Sequence, residues 1–269
     1  MNIKQLLILF FLLLSGVVSI TYLLIAKDWK STKSMRDLPE VKKRGNRTLN
    51  VVTEYNSIDF HLANDSAAGF QYELCRFIAQ RSGLKIRLFL ENDLETAIRK
   101  LEDNVYDVIA QNIPITNDNK QFLAFTIPIT QSKQVLVQRK SNGKDSCPFI
   151  TNQLDLANQT IYVTKNSPAI LRINHLAEEI AEPIHVQEVA DCTSERLIDM
   201  VANKKIDYAV VDREISLKNT ERVPELDFNT DISFTQLQAW GLRKTSPILL
   251  DSLNVWITAF KQNIPTDVR

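Results

Sequence analysis

Two short apolar runs in this chain end in side chains able to hold a polar small molecule. "VYDVIAQNIPIT", Val105 to Thr116, finishes on Gln111, Asn112 and Thr116, and "KIDYAVVDREIS", Lys205 to Ser216, reaches Asp212 and Arg213. Amides and hydroxyls donate and accept hydrogen bonds, and a carboxylate at a strand end can receive a cation. A third candidate is Ser167 in "KNSPAIL". Its hydroxyl suits a helix N-cap with Pro168 in the first turn, and such a helix end can face an anionic or carbonyl group. Each candidate also has a plainer use: Asp212 can cap "REISL", Ser167 its own helix, and strand-end amides can satisfy loop backbone.

These groups bind; nothing near them breaks bonds. His61, His175 and His185 have no cysteine or carboxylate at metal-ligand spacing, and Glu178 and Glu179 in "HLAEEIAE" read as a solvated helix face. No Cys-His or Ser-His-Asp arrangement is readable, so no catalytic residue, metal or cofactor is expected, and the chain reads as a non-enzyme. The 6 glycines form no phosphate-cradling loop. Lysine plus arginine equals aspartate plus glutamate, 32 each, which gives no support for nucleic acid as a partner.

The elements that must position the candidates follow from pattern. Thr48–Tyr55 is β-branched and reads as a strand. In Gly69–Gly83 the side chains of Phe70, Leu74, Phe77 and Ile78 share one helical face, and Gly83 suits the C-terminal cap. Leu84–Leu90 reads as a strand, Leu94–Asn104 as a helix and "YDVIAQ" as the next strand. The order β-α-β-α-β predicts a parallel sheet flanked by helices. The second half repeats it: "AIRKLEDNVYDVIAQ" and "RLIDMVANKKIDYAVVD" both run helix, polar turn, aspartate, buried strand. Two similar α/β lobes in tandem are therefore expected within 269 residues, with both polar strand ends facing a shared cleft.

The N-terminus differs in kind. Leu6–Ala26 carries no charge, is long enough to cross a bilayer as a helix, and is flanked by Lys4 and Lys27. The residues before Lys27 fit a cleavage site poorly, so residues 1–27 are expected to be an uncleaved anchor, with a cleaved signal as the alternative. Lysines and arginines between Lys27 and Arg44 argue on charge alone for a cytoplasmic C-terminal side. Residues 28–47 read as a polar tether with a short helix.

"GFQYELCRFIAQRSG", "IPITNDNKQFLAFTIPITQSKQVLV" and "KIDYAVVD" resemble the family 3 solute-binding proteins, the periplasmic amino-acid-binding type, over roughly Thr48 to Gln262. Phe234–Gln262, with its tryptophan-glycine-leucine-arginine segment, resembles the end of the solute-binding domain in membrane-bound lytic murein transglycosylase F. In that enzyme a lysozyme-like domain follows; here the sequence ends at Arg269. The resemblance implies an α/β, two-lobed periplasmic-binding-protein-like (type II) fold behind an N-terminal transmembrane helix. Residues 48–132 and 231–269 would form lobe 1 and residues 133–230 lobe 2, with two crossing strands as the hinge.

It also implies site residues. Asp212 matches the family aspartate that receives a ligand ammonium, and Asn56 and Phe60 stand where the family places a pocket wall. Many members carry "I-T-x-x-R", whose arginine grips a ligand carboxylate; this chain reads "ITNDNK", with Asn119 at the arginine position and Lys120 one residue on. The expected contacts are Asn56, Phe60, Gln111, Asn112, Thr116, Ser167 and Asp212. Cys147 and Cys192 both fall in lobe 2 and could pair in an oxidising periplasm or remain free; Cys75 reads as a small buried hydrophobe. The expected function is a membrane-tethered periplasmic binding or sensing module. Its ligand would be small, such as a muropeptide or an amino-acid-like molecule, and it would work beside a cell-wall enzyme or transporter at the inner membrane. The alternatives are an ABC-transporter amino-acid receptor and a lytic-transglycosylase-related enzyme or its regulatory subunit.

Overall fold

A computed structural model of the chain describes residues 37–43, 47–141 and 147–263. The expected anchor, and the tether as far as residue 36, lie outside these residues. Among the described residues no helix is long and apolar enough to cross a membrane. The described end of the tether is a short helix, α1 (Leu38–Lys43), and its Leu38 and Val41 are buried in the first lobe's core.

Two mixed sheets make the molecule. Besides their main strands there are a small hairpin of β2 (His61–Ala63) and β3 (Ser66–Ala68), the short edge strands β6 (Ala124–Phe125) and β12 (Leu226–Asp227), and a single helical turn, α4 (Asn119–Phe122). In the first, β1 (Thr48–Thr53) lies parallel to β4 (Lys85–Leu90) on one side and to β5 (Val108–Pro114) on the other. In the second, β9 (Thr160–Thr164) lies parallel to β10 (His185–Val189) and β11 (Tyr208–Asp212). Both central runs are buried on both faces, which is why β5 and β11 read as continuous apolar stretches. The expectation of a purely parallel arrangement is corrected by the fourth strand of each sheet. β8 (Gln134–Arg139) runs antiparallel to β11, and β13 (Gln236–Leu242) runs antiparallel to β5. A parallel neighbour needs a crossover long enough to return the chain to the starting edge. β8 instead enters two residues after β7 (Thr130–Ser132), directly from the other lobe.

The chain therefore enters the second lobe at β8 and returns to the first at β13, and the two approaches form adjoining crossovers. Lys133 pairs with Asp231 at 2.5 Å. The Ile232 amide donates to the Gln134 carbonyl at 2.8 Å, and the Gln134 amide donates to Ser233 Oγ at 2.8 Å.

Helices cover both sheets. α2 (Phe70–Ser82) and α8 (Pro247–Asn263) pack against Leu49, Val51 and Val108 on one face of the first sheet, and α3 (Leu94–Glu102) covers Val52 and Ile109 on the other. In the second lobe α5 (Ala169–Ile180) covers Leu136, Ile161 and Val210, while α6 (Ser194–Ala202) and α7 (Arg213–Asn219) cover Val135, Ala209 and Val211. Such alternation along one strand is the period-2 signature of a sheet with two buried faces. The tandem repeat persists in the caps. Asp93 accepts the Thr96 amide at the start of α3, and Thr193 accepts the Arg196 amide at the start of α6. Both helices exit through a left-handed residue, Asn104 (φ 60°) and Lys204 (φ 59°).

The tryptophan-glycine segment of β13 has a packing reason. Trp240 is only 1% exposed, and its indole N–H donates to Gln71 Oε1 at 2.7 Å. A Cβ on Gly241 would stand 2.9 Å from Leu123 Cδ1, so any side chain there would push into the core.

Candidate interlobe binding site

The carboxyl ends of β1, β5, β9 and β11 meet in a cleft between the lobes. Glu54 and Tyr55 leave β1, Gln111 and Asn112 lie near the end of β5, Thr164 to Pro168 connect β9 to α5, and Asp212 ends β11. This is where open α/β sheets place ligands, because strand ends and helix N-termini present unpaired polar groups together. The lobes touch across the cleft. The Ser57 amide donates to Glu195 Oε1 at 2.8 Å, and Asn166 Nδ2 donates to Asp93 Oδ1 at 2.9 Å and Glu95 Oε2 at 3.1 Å. The space they enclose is a cavity of about 100 Å³.

Its lining is acidic. Glu54, Asp59, Asp212 and Glu214 line the cavity against one lysine, Lys165, which pairs with Asp93 at 3.4 Å. No arginine lines it among the described residues. Burial pushes the Glu54 carboxyl up to about 8, reinforced by the negative charge of Asp59 and more weakly by Asp212 and Glu195, with the Asn56 hydrogen bond opposing. Burial also raises Asp59 to about 6, against hydrogen bonds from Asn56, Gln71 and Asn112. Asp212 is raised by burial, while Ser132, the Glu214 amide and Gln238 partly offset it.

Asp59 is held by a built network. Its Oδ2 accepts from Asn56 Nδ2 at 2.8 Å, and its Oδ1 from Asn112 Nδ2 at 2.8 Å and Gln71 Nε2 at 3.1 Å. The Trp240 indole fixes the Gln71 amide by occupying its oxygen, which leaves the nitrogen for Asp59 and Asn112. Gly69, at φ 120°, brings the 56–60 loop down on the start of α2; a Cβ there would stand 2.4 Å from the Asp59 carbonyl oxygen. The amides of Gln71 and Tyr72 then donate to that same carbonyl.

Of the seven residues expected to meet a ligand, the structure brings Asn56, Gln111, Asn112, Ser167 and Asp212 to the cavity wall. Asn56 is committed on both sides: Nδ2 donates to Asp59 and Glu54, and Oδ1 accepts the amides of Ile58 and Asp59. Ser167 Oγ accepts the Ala169 amide at 3.2 Å, as a cap does. Two residues are placed elsewhere. Phe60 is not on the cavity wall; its backbone bridges to Asn56 and its ring stacks edge-on against Tyr72 at 6.0 Å. Thr116 lies in an outer groove with its Oγ1 accepting the Asn119 amide at 3.1 Å. Asn119 donates its own side chain to the Pro114 carbonyl at 2.9 Å, and Lys120 is exposed.

All three cysteines are free thiols. Cys147 and Cys192 belong to clusters on opposite faces of the second sheet, so the strand layer separates them. Cys75 is buried, and burial raises its thiol to about 12.

Pattern reading missed Glu54, Asp59, Gln71 and Tyr55. Glu54 carried a usable signal, since it follows β1 as Asp212 ends β11. Asp59 and Gln71 carried none, since a lone polar residue between Ile58 and Phe60, or between Phe70 and Tyr72, reads as the exposed position of its segment.

Residues 49–264 match the bacterial extracellular solute-binding proteins, family 3. Membrane-bound lytic murein transglycosylase F of Desulfosudis oleivorans is 26% identical over 233 residues, which is 86% of this chain and 49% of that protein. Membrane-bound lytic murein transglycosylase F 1 of Alkalilimnicola ehrlichii is 27% identical over 239 residues, 86% of this chain and 47% of that protein. The chain thus spans about half the length of the curated relatives it matches. Among solved structures, an ABC uptake transporter substrate-binding protein from Streptococcus pneumoniae with bound histidine superposes with TM-score 0.73 at 19% identity, covering 85% of this chain and 93% of that one. Holo ArgBP from T. maritima gives 0.70 at 22% identity, covering 86% and 96%. These likenesses establish the periplasmic-binding-protein type II fold.

Proposed function

The chain belongs to the bacterial extracellular solute-binding proteins, family 3, and on that premise we propose that it binds a small amino-bearing solute in the interlobe cleft and reports binding by closure. The observation that carries this reading is the cavity itself: polar ends of four strands converge between lobes joined by two adjoining crossovers. Binding groups divided between lobes couple occupancy to closure, because a ligand that touches both stabilises only the closed arrangement. Gln111, Asn112 and the Asp59 network belong to one lobe, and Asp212 and Ser167 to the other. The residues 48–132 and 231–269 would move as one body and 133–230 as the second.

The same reading places the folded part outside the inner membrane, tethered through residues 1–27. Its partner is a cell-wall enzyme, in keeping with the transglycosylase relatives, and a muropeptide is one solute with the required amine. An ABC-transporter receptor is the second reading, favoured by the fold neighbour of that kind.

Thermal unfolding of the full chain against amino acids, simple amines and purified muropeptides tests the proposal. At least one solute should raise Tm in a concentration-dependent way, by mass action on the folded state. A flat response to every class would end it. Small-angle scattering with and without the active solute would then show whether the lobes draw together.

A further inference from the structure

The cleft holds more carboxyl groups than one amino acid can use. Asp212, which accepts from Ser132, the Glu214 amide and Gln238, brings one carboxylate from the second lobe, and Glu54 and Asp59 face the same space from the first. No arginine lines the cavity to hold a carboxylate among the described residues, and its one lysine, Lys165, is paired with Asp93. Asn119 stands where an arginine is expected, its amide is taken up by the Pro114 carbonyl, and it lies outside the cavity. Two of the helix N-termini that reach the cleft are engaged by hydroxyl caps, and the other two are capped by the carboxylates of Asp93 and Asp212. Ser167 Oγ takes the Ala169 amide, and Thr193 Oγ1 takes the Arg196 amide beside the carboxylate of Glu195.

An independent observation comes from Gln111, which is 1% exposed and lines the cavity. Its Nε2 donates to the Glu91 carbonyl at 2.7 Å, and a carbonyl requires a donor there, so the amide orientation is fixed. Oε1 is then a buried acceptor with no hydrogen-bond partner among the described residues. An unmet buried acceptor costs about 1–3 kcal/mol unless a donor is supplied. Glu54 also has acceptor capacity to spare, since it receives only one long bond, 3.2 Å from Asn56.

Resting on the solute-binding reading above, we propose that the cleft selects an organic dication without a carboxylate, a diamine or an amine bearing a guanidinium. One cationic end lies between Glu54, Asp59 and the Gln111 oxygen, and the other lies at Asp212. Its N–H groups supply the donors that the site lacks, and its two charges neutralise carboxylates buried on both lobes, so the same contacts that bind the ligand hold the lobes closed. A bare metal ion is a poorer fit, since no cluster of three or more metal-ligating side chains occurs among the described residues.

Calorimetric titration of the full chain at pH 8 and low salt tests this with matched pairs: 1,5-diaminopentane against lysine, 1,4-diaminobutane against ornithine, and agmatine against arginine. Glycine, glutamate, a muropeptide and MgCl2 complete the panel. Each decarboxylated partner of a bound pair should bind at least about tenfold tighter than its amino acid, equivalent to ~1.4 kcal/mol. Asp212→Asn and Glu54→Gln should each weaken the best amine by a similar factor while unfolding cooperatively. Equal or tighter binding of the amino acids would overturn the inference and leave the solute-binding reading standing. So would binding confined to neutral solutes, acidic solutes or Mg2+. Silence across the whole panel would remove both.

Discussion

Arg139 and Arg243 make the same clamp in opposite lobes. Arg243, one residue beyond β13, donates from Nη1 to the carbonyls of Leu101 and Tyr106 at 2.8 and 2.6 Å and from Nη2 to Asp107 at 3.4 Å. Arg139, at the end of β8, donates to the carbonyls of Val201 and Ile206 at 3.2 and 2.9 Å and to Asp207. In both lobes the fourth, antiparallel strand ends in a guanidinium that satisfies the C-terminal carbonyl of the preceding helix and the aspartate that opens the central strand. β13, which returns to the first lobe after the whole of the second, is thus locked into a lobe distant from it in sequence, and β8 is locked beside β11 by the same device.

Removing the clamp should be costly. Asp107 is fully buried, so Arg243→Ala removes the guanidinium that balances its charge, leaves the Asn50 amide in place, and should destabilise the fold by ~3–5 kcal/mol, read from urea unfolding. Arg243→Lys should recover little, because a single ammonium cannot reproduce the planar fork. A loss under about 1 kcal/mol would show that the first lobe does not depend on this contact.

The acidic cleft makes a signed prediction about pH. Folding raises Glu54 from 4.5 to about 8 and Asp59 from 3.8 to about 6, so the folded state binds protons that the unfolded chain has released. This contribution is fully present below the unfolded values and is lost as pH climbs through the folded ones. Without ligand, Tm should fall between about pH 4.5 and 8 at constant ionic strength. Asp59, Asp212, Glu195 and Glu214 face Glu54, with Lys165 as the nearby cation of the cavity wall. Glu54→Gln should flatten the decline and raise Tm at pH 8. A Tm that rises steadily through this window would contradict the burial of these groups.

Gly69→Ala should damage the site through the backbone. At φ 120° and ψ 160° an alanine is strained by roughly 1–3 kcal/mol before its methyl meets the Asp59 carbonyl oxygen. Solute affinity should drop together with stability, since the loop carrying Asn56 and Asp59 must lift. Full affinity in a destabilised Gly69→Ala protein would separate the loop from recognition.

Asp37 fastens the N-terminal approach to the first lobe. Its Oδ1 accepts the Leu249 amide at 2.7 Å and its Oδ2 the Ile248 amide at 3.0 Å, at the start of α8. Asp37→Ala should cost about 1 kcal/mol, the usual worth of a lost N-cap, and raise hydrogen exchange in α1 and the first turn of α8. Unchanged exchange at both places would count against the cap.

The two sheets, their flanking helices and the tandem repeat could be read from the residues, because periodicity records locally which face of an element is buried. The strand-end candidates Gln111, Asn112 and Asp212 came from the same local logic. Phe60 and Thr116 did not behave as expected, since the direction of a loop side chain depends on what packs against it: Tyr72 for one, the Asn119 amide for the other. The stretch "TEYNSID" looks like any polar surface loop, and nothing within it says that Glu54 and Asp59 will lose their water. That was decided by Gly69 and Gln71 from α2, Trp240 from the far end of the chain, and Glu195 from the other lobe, 138 residues beyond Ser57. Pattern fixes burial along an element; the charge of a cavity is set by contacts between distant segments, and only their three-dimensional meeting determines it.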